Sequence, residues 1–306
     1  MPDILKIATR KSPLAIWQAE EVQRHLQKAG AETELVRMST RGDEILDQPL
    51  AKIGGKGLFI KELERGMLSG QADMAAHSMK DLPSVFPDGL HLGAIMKREN
   101  PTDAFVSNRY DNIEDLPEGA VVGTCSLRRR CQLLAKYPHL SVKDLRGNVN
   151  TRLAKLDSGH FDAIILASAG LIRLELADRI KSQIDINIML PACAQGAVGV
   201  ECKIDDEKTN KLLASLHDED TAARINCERS LNAKLGGSCQ TPIAAFAELQ
   251  GDTLNLRALI GTPDGTLVLN ADGSDHRSRA VDLGEAVGQQ LLEAGAKKII
   301  DDLALS

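Results

Sequence analysis

A chain of 306 residues with 43% hydrophobic and 26% charged residues can bury a full core and is long enough for about two or three domains. Its net charge of −6 disfavours nonspecific binding to nucleic acid or to anionic membranes, and 3% aromatic content leaves bases little to stack on. The sequence has no apolar run of membrane-spanning length, no secretory signal at its N-terminus, and six cysteines without a C-x-x-C pair or zinc-spaced histidines. The expectation is a cytoplasmic protein with reduced thiols and no structural metal.

The first forty residues read as strand, turn, helix, strand. Ile4 to Ala8 is strand-like. Ser12 suits an N-cap and Pro13 the first position of a helix whose apolar face carries Ala15, Ala19, Val22 and Leu26. Glu34 to Met38 follows as a strand. Arg10 and Lys11 thus fall where open α/β sheets bind ligands and where helix N–H groups favour anions. Lys52 to Phe59 superficially resembles a phosphate loop but has Gly57 where Ser or Thr should hold magnesium, so a mobile lid whose glycines permit bending and whose lysines meet an anion competes with a plain solvated loop.

Ile60, Leu63 and Met67 mark the next helix, and Ala72 to His77 runs as a strand into Ser78-Met79-Lys80-Asp81. His77 reads as a hydrogen-bonded core histidine. Asp81, among cations, reads either as an ionised carboxylate able to accept ring N–H bonds and stabilise positive charge, or as half of a surface ion pair with Lys80. The same grammar recurs in Ala120 to Thr124 before Cys125-Ser126-Leu127-Arg128-Arg129, in Ser141 to Leu145 before Arg146-Gly147-Asn148, and in Ala163 to Ala167 before a helix with Arg173. A doubly wound fold would gather Arg10, Arg128, Arg129, Arg146, Arg152 and Arg173 along one cleft. Like charges so placed call for an anion, and guanidinium forks point to several carboxylates or phosphates.

After about residue 215 a helix near Ala222 to Leu235 leads to a glycine loop, Gly236-Gly237-Ser238-Cys239, then short strands turning at Gln250-Gly251-Asp252 and Pro263-Asp264-Gly265, then a helix from about Ala280 to Ala294. In a flexible loop Cys239 is better placed to act as a nucleophile than Cys131, Cys193, Cys202 and Cys227, which read as small buried hydrophobes. No internal repeat is evident.

Ile7-Ala8-Thr9-Arg10-Lys11-Ser12-Pro13-Leu14-Ala15, Gly54-Gly55-Lys56-Gly57-Leu58-Phe59, His77-Ser78-Met79-Lys80-Asp81, Ser126-Leu127-Arg128-Arg129, Leu145-Arg146-Gly147-Asn148 and Gln195-Gly196-Ala197 together resemble the successive signatures of the hydroxymethylbilane synthases, or porphobilinogen deaminases. The resemblance spans essentially the whole chain. It implies an α/β fold: two periplasmic-binding-protein-like doubly wound domains with mixed sheets (1–97 with 196–215, and 98–195) and a smaller C-terminal α+β domain (216–306) bearing the cofactor-attachment loop. It also implies a dipyrromethane cofactor joined by a thioether to Cys239, porphobilinogen as substrate, and a monomer.

By the same resemblance Asp81 is the catalytic carboxylate, desolvated near two pyrrole N–H groups. Lys80, Asp81, Thr124, Ser126, Arg128, Arg129, Arg146, Gly147 and Cys239 hold the cofactor. Arg10, Ser12, Arg152, Arg173, Gln195, Lys56 and Phe59 serve the substrate or lid. Cys125, where the family usually has serine, and Ser238, where glycine often precedes the cofactor cysteine, are departures. The competing classes are a non-catalytic receptor for small anions and a ligand-responsive regulator, although no basic recognition helix is seen.

Overall fold

The computed structural model describes residues 4–40, 60–238 and 241–305. In chain order these form β1 (Leu5–Arg10), α1 (Pro13–Lys28), β2 (Thr33–Met38), α2 (Lys61–Leu68), β3 (Met74–Ser78) and β4 (Leu90–Ile95). Next come β5 (Asp103–Val106), β6 (Val121–Gly123), α3 (Leu127–Lys136), β7 (Ser141–Lys143), α4 (Val149–Asp157), β8 (Ala163–Ala167), α5 (Ser168–Arg173) and β9 (Ser182–Gln183). The last part holds β10 (Val198–Lys203), α6 (Glu207–Leu213), α7 (Glu219–Lys234), β11 (Ile243–Gln250), β12 (Thr253–Gly261), β13 (Val268–His276), α8 (Ala280–Glu293) and α9 (Ala296–Leu305).

Two compact units result, Met1–Glu99 with Ala197–Ala222, and Asn100–Gly196 with Ala223–Ser306. In the first, one sheet has the order β2-β1-β3-β10-β4, with β1, β2 and β3 parallel and β10 antiparallel to both neighbours. Local signals start α1 as expected: the Ser12 hydroxyl accepts from the Ala15 N–H and Pro13 opens the helix. Ala19, Val22 and Leu26 of α1 pack on Leu5, Ile7, Met74, Ala76, Val198 and Val200 of the sheet. Burying such a side chain contributes roughly 1.5–3 kcal/mol for each large aliphatic.

In the second unit a sheet of order β7-β6-β8-β5-β9 has β6, β7 and β8 parallel and β5 antiparallel to β8 and β9. The topology of the first sheet is therefore repeated, strand for strand, although the sequence displays no repeat. The inserted antiparallel strand in each is the one the chain makes straight after crossing between units. This second unit also carries the three-stranded meander β11-β12-β13. On one face of the meander Leu254, Leu256 and Ile260 pack against Leu283, Val287 and Leu291 of α8, and on the other Phe246 and Leu259 meet Cys131 and Leu190.

Among the described residues no helix is long and apolar enough to cross a membrane, and no three His, Cys, Asp or Glu side chains are grouped to hold a metal ion.

Candidate active site

In the first unit the parallel strands β1 and β3 end at one sheet edge, and the candidate residues are there. Arg10 ends β1 half-buried, and Ser12 caps α1 two residues later. β3 runs into a single 3-10 turn, Met79–Asp81. The turn is pinned where it leaves the sheet: Met79 N–H donates to Ala197 O at 3.0 Å, the Met79 side chain is 1% exposed, and Gln18 Nε2 donates to Ser78 Oγ at 2.7 Å. Gly199 on β10 makes room for Met79, since a Cβ there would collide with its sulfur. With Met79 held inside, Lys80 and Asp81 are turned outward, and both are exposed. The expectation of a desolvated carboxylate is thus not met by the described residues: the chain aims Asp81 at solvent on a fixed turn and does not bury it.

Behind the turn lies a group the sequence reading only half anticipated. His77 is buried, as expected for a core histidine, with its Nε2 3.0 Å from Glu201 Oε2. Glu201 of β10 is 0% exposed, and Glu64 of α2 is 8% exposed. Burial, and then the Glu201 charge, push the Glu64 carboxyl above its ordinary range.

In the second unit β6, β7 and β8 are parallel, so the segments that follow them leave from one edge. Thr124 is buried and its hydroxyl accepts from Ser126 N–H at 3.2 Å, while Ser126 Oγ caps α3 through Arg129 N–H at a long 3.5 Å. Half-buried Arg146 and Gly147 precede α4. Gly147 has φ +113°, and a Cβ on it would press on the Thr151 side chain, so this bend requires glycine. Its carbonyl accepts from Arg152 Nε at 2.8 Å. Arg173 on α5 is buried, and its Nη2 donates to Gly196 O at 2.7 Å.

Arg128 and Arg129 are also buried, 4% and 5% exposed, which corrects the picture of guanidiniums lining a cleft for want of an anion. An internal anion partly offsets them. Asp103, the first residue of β5, pairs with Ala167 at the end of β8 and therefore stands at this same sheet edge. Its Oδ1 accepts from Arg129 Nε and Nη2 at 3.1 and 2.7 Å and from Gln195 Nε2 at 2.9 Å, and Arg128 Nη1 is 2.8 Å from its Oδ2. Burial opposes ionisation, yet the two guanidiniums outweigh it and hold the Asp103 carboxyl well below the carboxylate range. Sequence reasoning missed Asp103, Glu201 and Glu64. The first two had a signal, since an acid inside an otherwise apolar strand, as in Thr102-Asp103-Ala104-Phe105-Val106 or Val198-Gly199-Val200-Glu201-Cys202, must be paired to be tolerated.

Gln195 sits in a constrained segment. Ala194 has φ +62°, its N–H donates to Glu228 Oε2 at 2.6 Å, and Gln195 Nε2 also reaches Pro101 O at 2.8 Å. Lys56, Phe59 and Cys239 lie outside the described residues. The glycines before Cys239, expected to loosen a loop, instead end α7: Gly236 N–H donates to Ala233 O at 2.9 Å and Gly237 N–H to Asn232 O at 2.8 Å, the paired bonds of a Schellman cap with Gly236 at φ +64°. Of the cysteines read as buried hydrophobes, Cys131, Cys202 and Cys227 are buried, with burial pushing their thiols up to about 11, 12 and 12, while Cys193 is half-buried.

Comparison with known proteins decides the family. Residues 5–211 match the family described as porphobilinogen deaminase, dipyrromethane cofactor binding domain, and residues 222–293 match porphobilinogen deaminase, C-terminal domain. The chain belongs to the porphobilinogen deaminase family. It is accordingly a transferase, a hydroxymethylbilane synthase of tetrapyrrole biosynthesis that uses a dipyrromethane cofactor and takes porphobilinogen as substrate.

Similar solved structures include the methionine-binding protein MetQ (15% identity, TM-score 0.46, 72% of this chain and 93% of that one). Another is the periplasmic VFT2 domain of Bordetella pertussis BvgS (18% identity, TM-score 0.42, 70% and 86%). A third is a nutrient-binding protein from Burkholderia cenocepacia bound to methionine (13% identity, TM-score 0.44, 69% and 90%).

The donors in the second unit suit the family's cofactor. Acetate and propionate arms are carboxylates, and the hydroxyls of Thr124 and Ser126 beside the guanidiniums at the start of α3 are of the chemical kind that would hold such groups with charge-assisted hydrogen bonds.

Proposed function

We propose that this chain, working as a cytoplasmic monomer, condenses four porphobilinogen molecules one after another on a dipyrromethane joined to the Cys239 sulfur, and then releases hydroxymethylbilane by hydrolysis. The dipyrromethane supplies a free pyrrole α-carbon as the first acceptor. In each round the aminomethyl C–N bond of porphobilinogen breaks and ammonia departs, a C–C bond forms from the acceptor α-carbon to the methylene, and that α-carbon gives up its proton.

Both halves of the round put positive charge on a pyrrole ring. Asp81 is the group suited to that charge: an ionised carboxylate accepts pyrrole N–H bonds and stabilises the cation more than the neutral ring. The observation that carries this reading is the pinned turn, which fixes Met79 in the core and turns Lys80 and Asp81 out at the carboxyl end of β3. Lys80, Thr124, Ser126, Arg128, Arg129, Arg146 and Gly147 hold the cofactor arms. Arg10, Ser12, Arg152, Arg173 and Gln195, with Lys56 and Phe59, serve the incoming pyrrole.

Intact mass spectrometry tests the covalent scheme. The purified protein is expected to exceed its sequence mass by one dipyrromethane and to release ammonia from porphobilinogen, and Cys239→Ala to lose both properties. An unmodified chain with full turnover would refute attachment at Cys239.

A further inference from the structure

The reaction as described gives Asp103 no task, although it is fully buried and contacts three side chains assigned to cofactor and substrate. We infer that Asp103 is a positioning residue for cofactor loading, orienting Arg128 and Arg129 so that their remaining N–H groups meet the cofactor's carboxylates; this rests on the reading that those two arginines bind the dipyrromethane.

The hydrogen-bond inventory supports the assignment. An arginine has five N–H donors. In Arg129, Nε and Nη2 donate to Asp103 Oδ1 and Nη1 donates to Ile165 O at 2.9 Å, which fixes the plane of the guanidinium and leaves one N–H on each Nη. Among the described residues Arg128 is held through Nη1, which donates to Leu190 O at 2.6 Å and lies against Asp103 Oδ2, so none of those residues takes its Nε and Nη2. Both forks are thus aimed by the protein before any ligand arrives, and little side-chain entropy is left to lose on binding.

Charge points the same way. Two buried guanidiniums face one buried carboxylate, so the cluster has an excess positive charge where desolvation makes that expensive, and an entering carboxylate offsets it. Gln195 Nε2, donating to the same Oδ1, fixes the carboxylate itself. A residue that only neutralised charge would need no such definition of its oxygens.

Positioning and neutralisation separate in Asp103→Glu, which keeps the charge and moves it by one methylene. Cofactor-free protein is incubated with porphobilinogen, the loaded fraction is followed by intact mass, and cooperative thermal unfolding is the check of fold. Asp103→Glu is expected to fold and to load at least tenfold more slowly than wild type; wild-type loading would overturn the inference. Should that variant fail to fold, Asp103→Asn takes its place: it leaves the cluster more positive, so loss of neutralisation alone would not slow the entry of a carboxylate, and it must load at least tenfold more slowly than wild type, wild-type loading being the overturning result. Arg128→Met and Arg129→Met test the underlying reading. If both load normally, the arginines do not hold the cofactor; if they fail while Asp103→Glu loads normally, only the role of Asp103 falls.

Discussion

Asp81, the carboxylate proposed as catalytic, differs little in its surroundings from an ordinary surface acid. It is exposed, and its neighbour Lys80 is exposed too, so an isolated reading of the pair as a weak surface contact would be reasonable. What distinguishes it is the anchoring of Met79, which denies the turn the freedom of a loop. Electrostatic stabilisation of a developing cation depends on a charge that is already in place, and losing one such group costs about a hundredfold or more in turnover. Asp81→Asn keeps size and turn geometry, so kcat for porphobilinogen consumption is expected to fall by roughly that factor, with an unchanged melting temperature. Undiminished kcat would move the role to another residue. Asp81 could be singled out from sequence because its motif is contiguous, whereas Asp103 acquires meaning only next to Arg128, Arg129 and Gln195, which are distant in the chain.

Element boundaries were readable wherever the controlling signal is local. Ser12 with Pro13 and the glycines after Leu235 each act within a few residues of themselves, and each helix terminus falls where those residues require. The antiparallel strands β5 and β10 were not readable in this way. An apolar strand has the same composition in either direction, and their partners, Ala167 for Asp103 and Ser78 for Val198, lie far along the chain. The repeated sheet topology was hidden for the same reason, since it consists of pairings and not of similar residues.

Ser126 belongs to both levels, as a cap for α3 and as a proposed cofactor ligand. Ser126→Ala is expected to cost about 1 kcal/mol of stability through the lost cap. Ser126→Asp keeps a good cap but sets a negative charge against the cofactor's carboxylates. It should therefore denature like wild type while loading much less cofactor, a combination that titration with urea and intact mass would reveal. Normal loading of Ser126→Asp would exclude this hydroxyl as a carboxylate ligand.

For the molecule as a whole, each of the two matching sheets carries a fully buried acid on its inserted antiparallel strand, Asp103 on β5 and Glu201 on β10. Asp103 and Glu64, the latter beside Glu201, give stability opposite dependences on pH. The native pKa of Asp103 is depressed, so its contribution is present above the ordinary aspartate value and is lost as pH falls below it. Glu64, beside Glu201, has a raised native pKa, so its contribution is complete below the ordinary glutamate value and disappears as pH rises through the native one. Above that point the ionised Glu64 carboxylate is a buried charge beside Glu201, whose Oε2 lies 3.0 Å from His77 Nε2. Glu64→Gln removes that titration while retaining nearly the same volume. Relative to wild type the variant should therefore gain stability as pH is raised from 4 to 8, in the range set by unfolded carboxyl values of about 4 and the higher native one. Urea midpoints measured across this interval give the test: a difference between the two proteins that does not change with pH would mean that Glu64 ionises as readily in the folded chain as in the unfolded one.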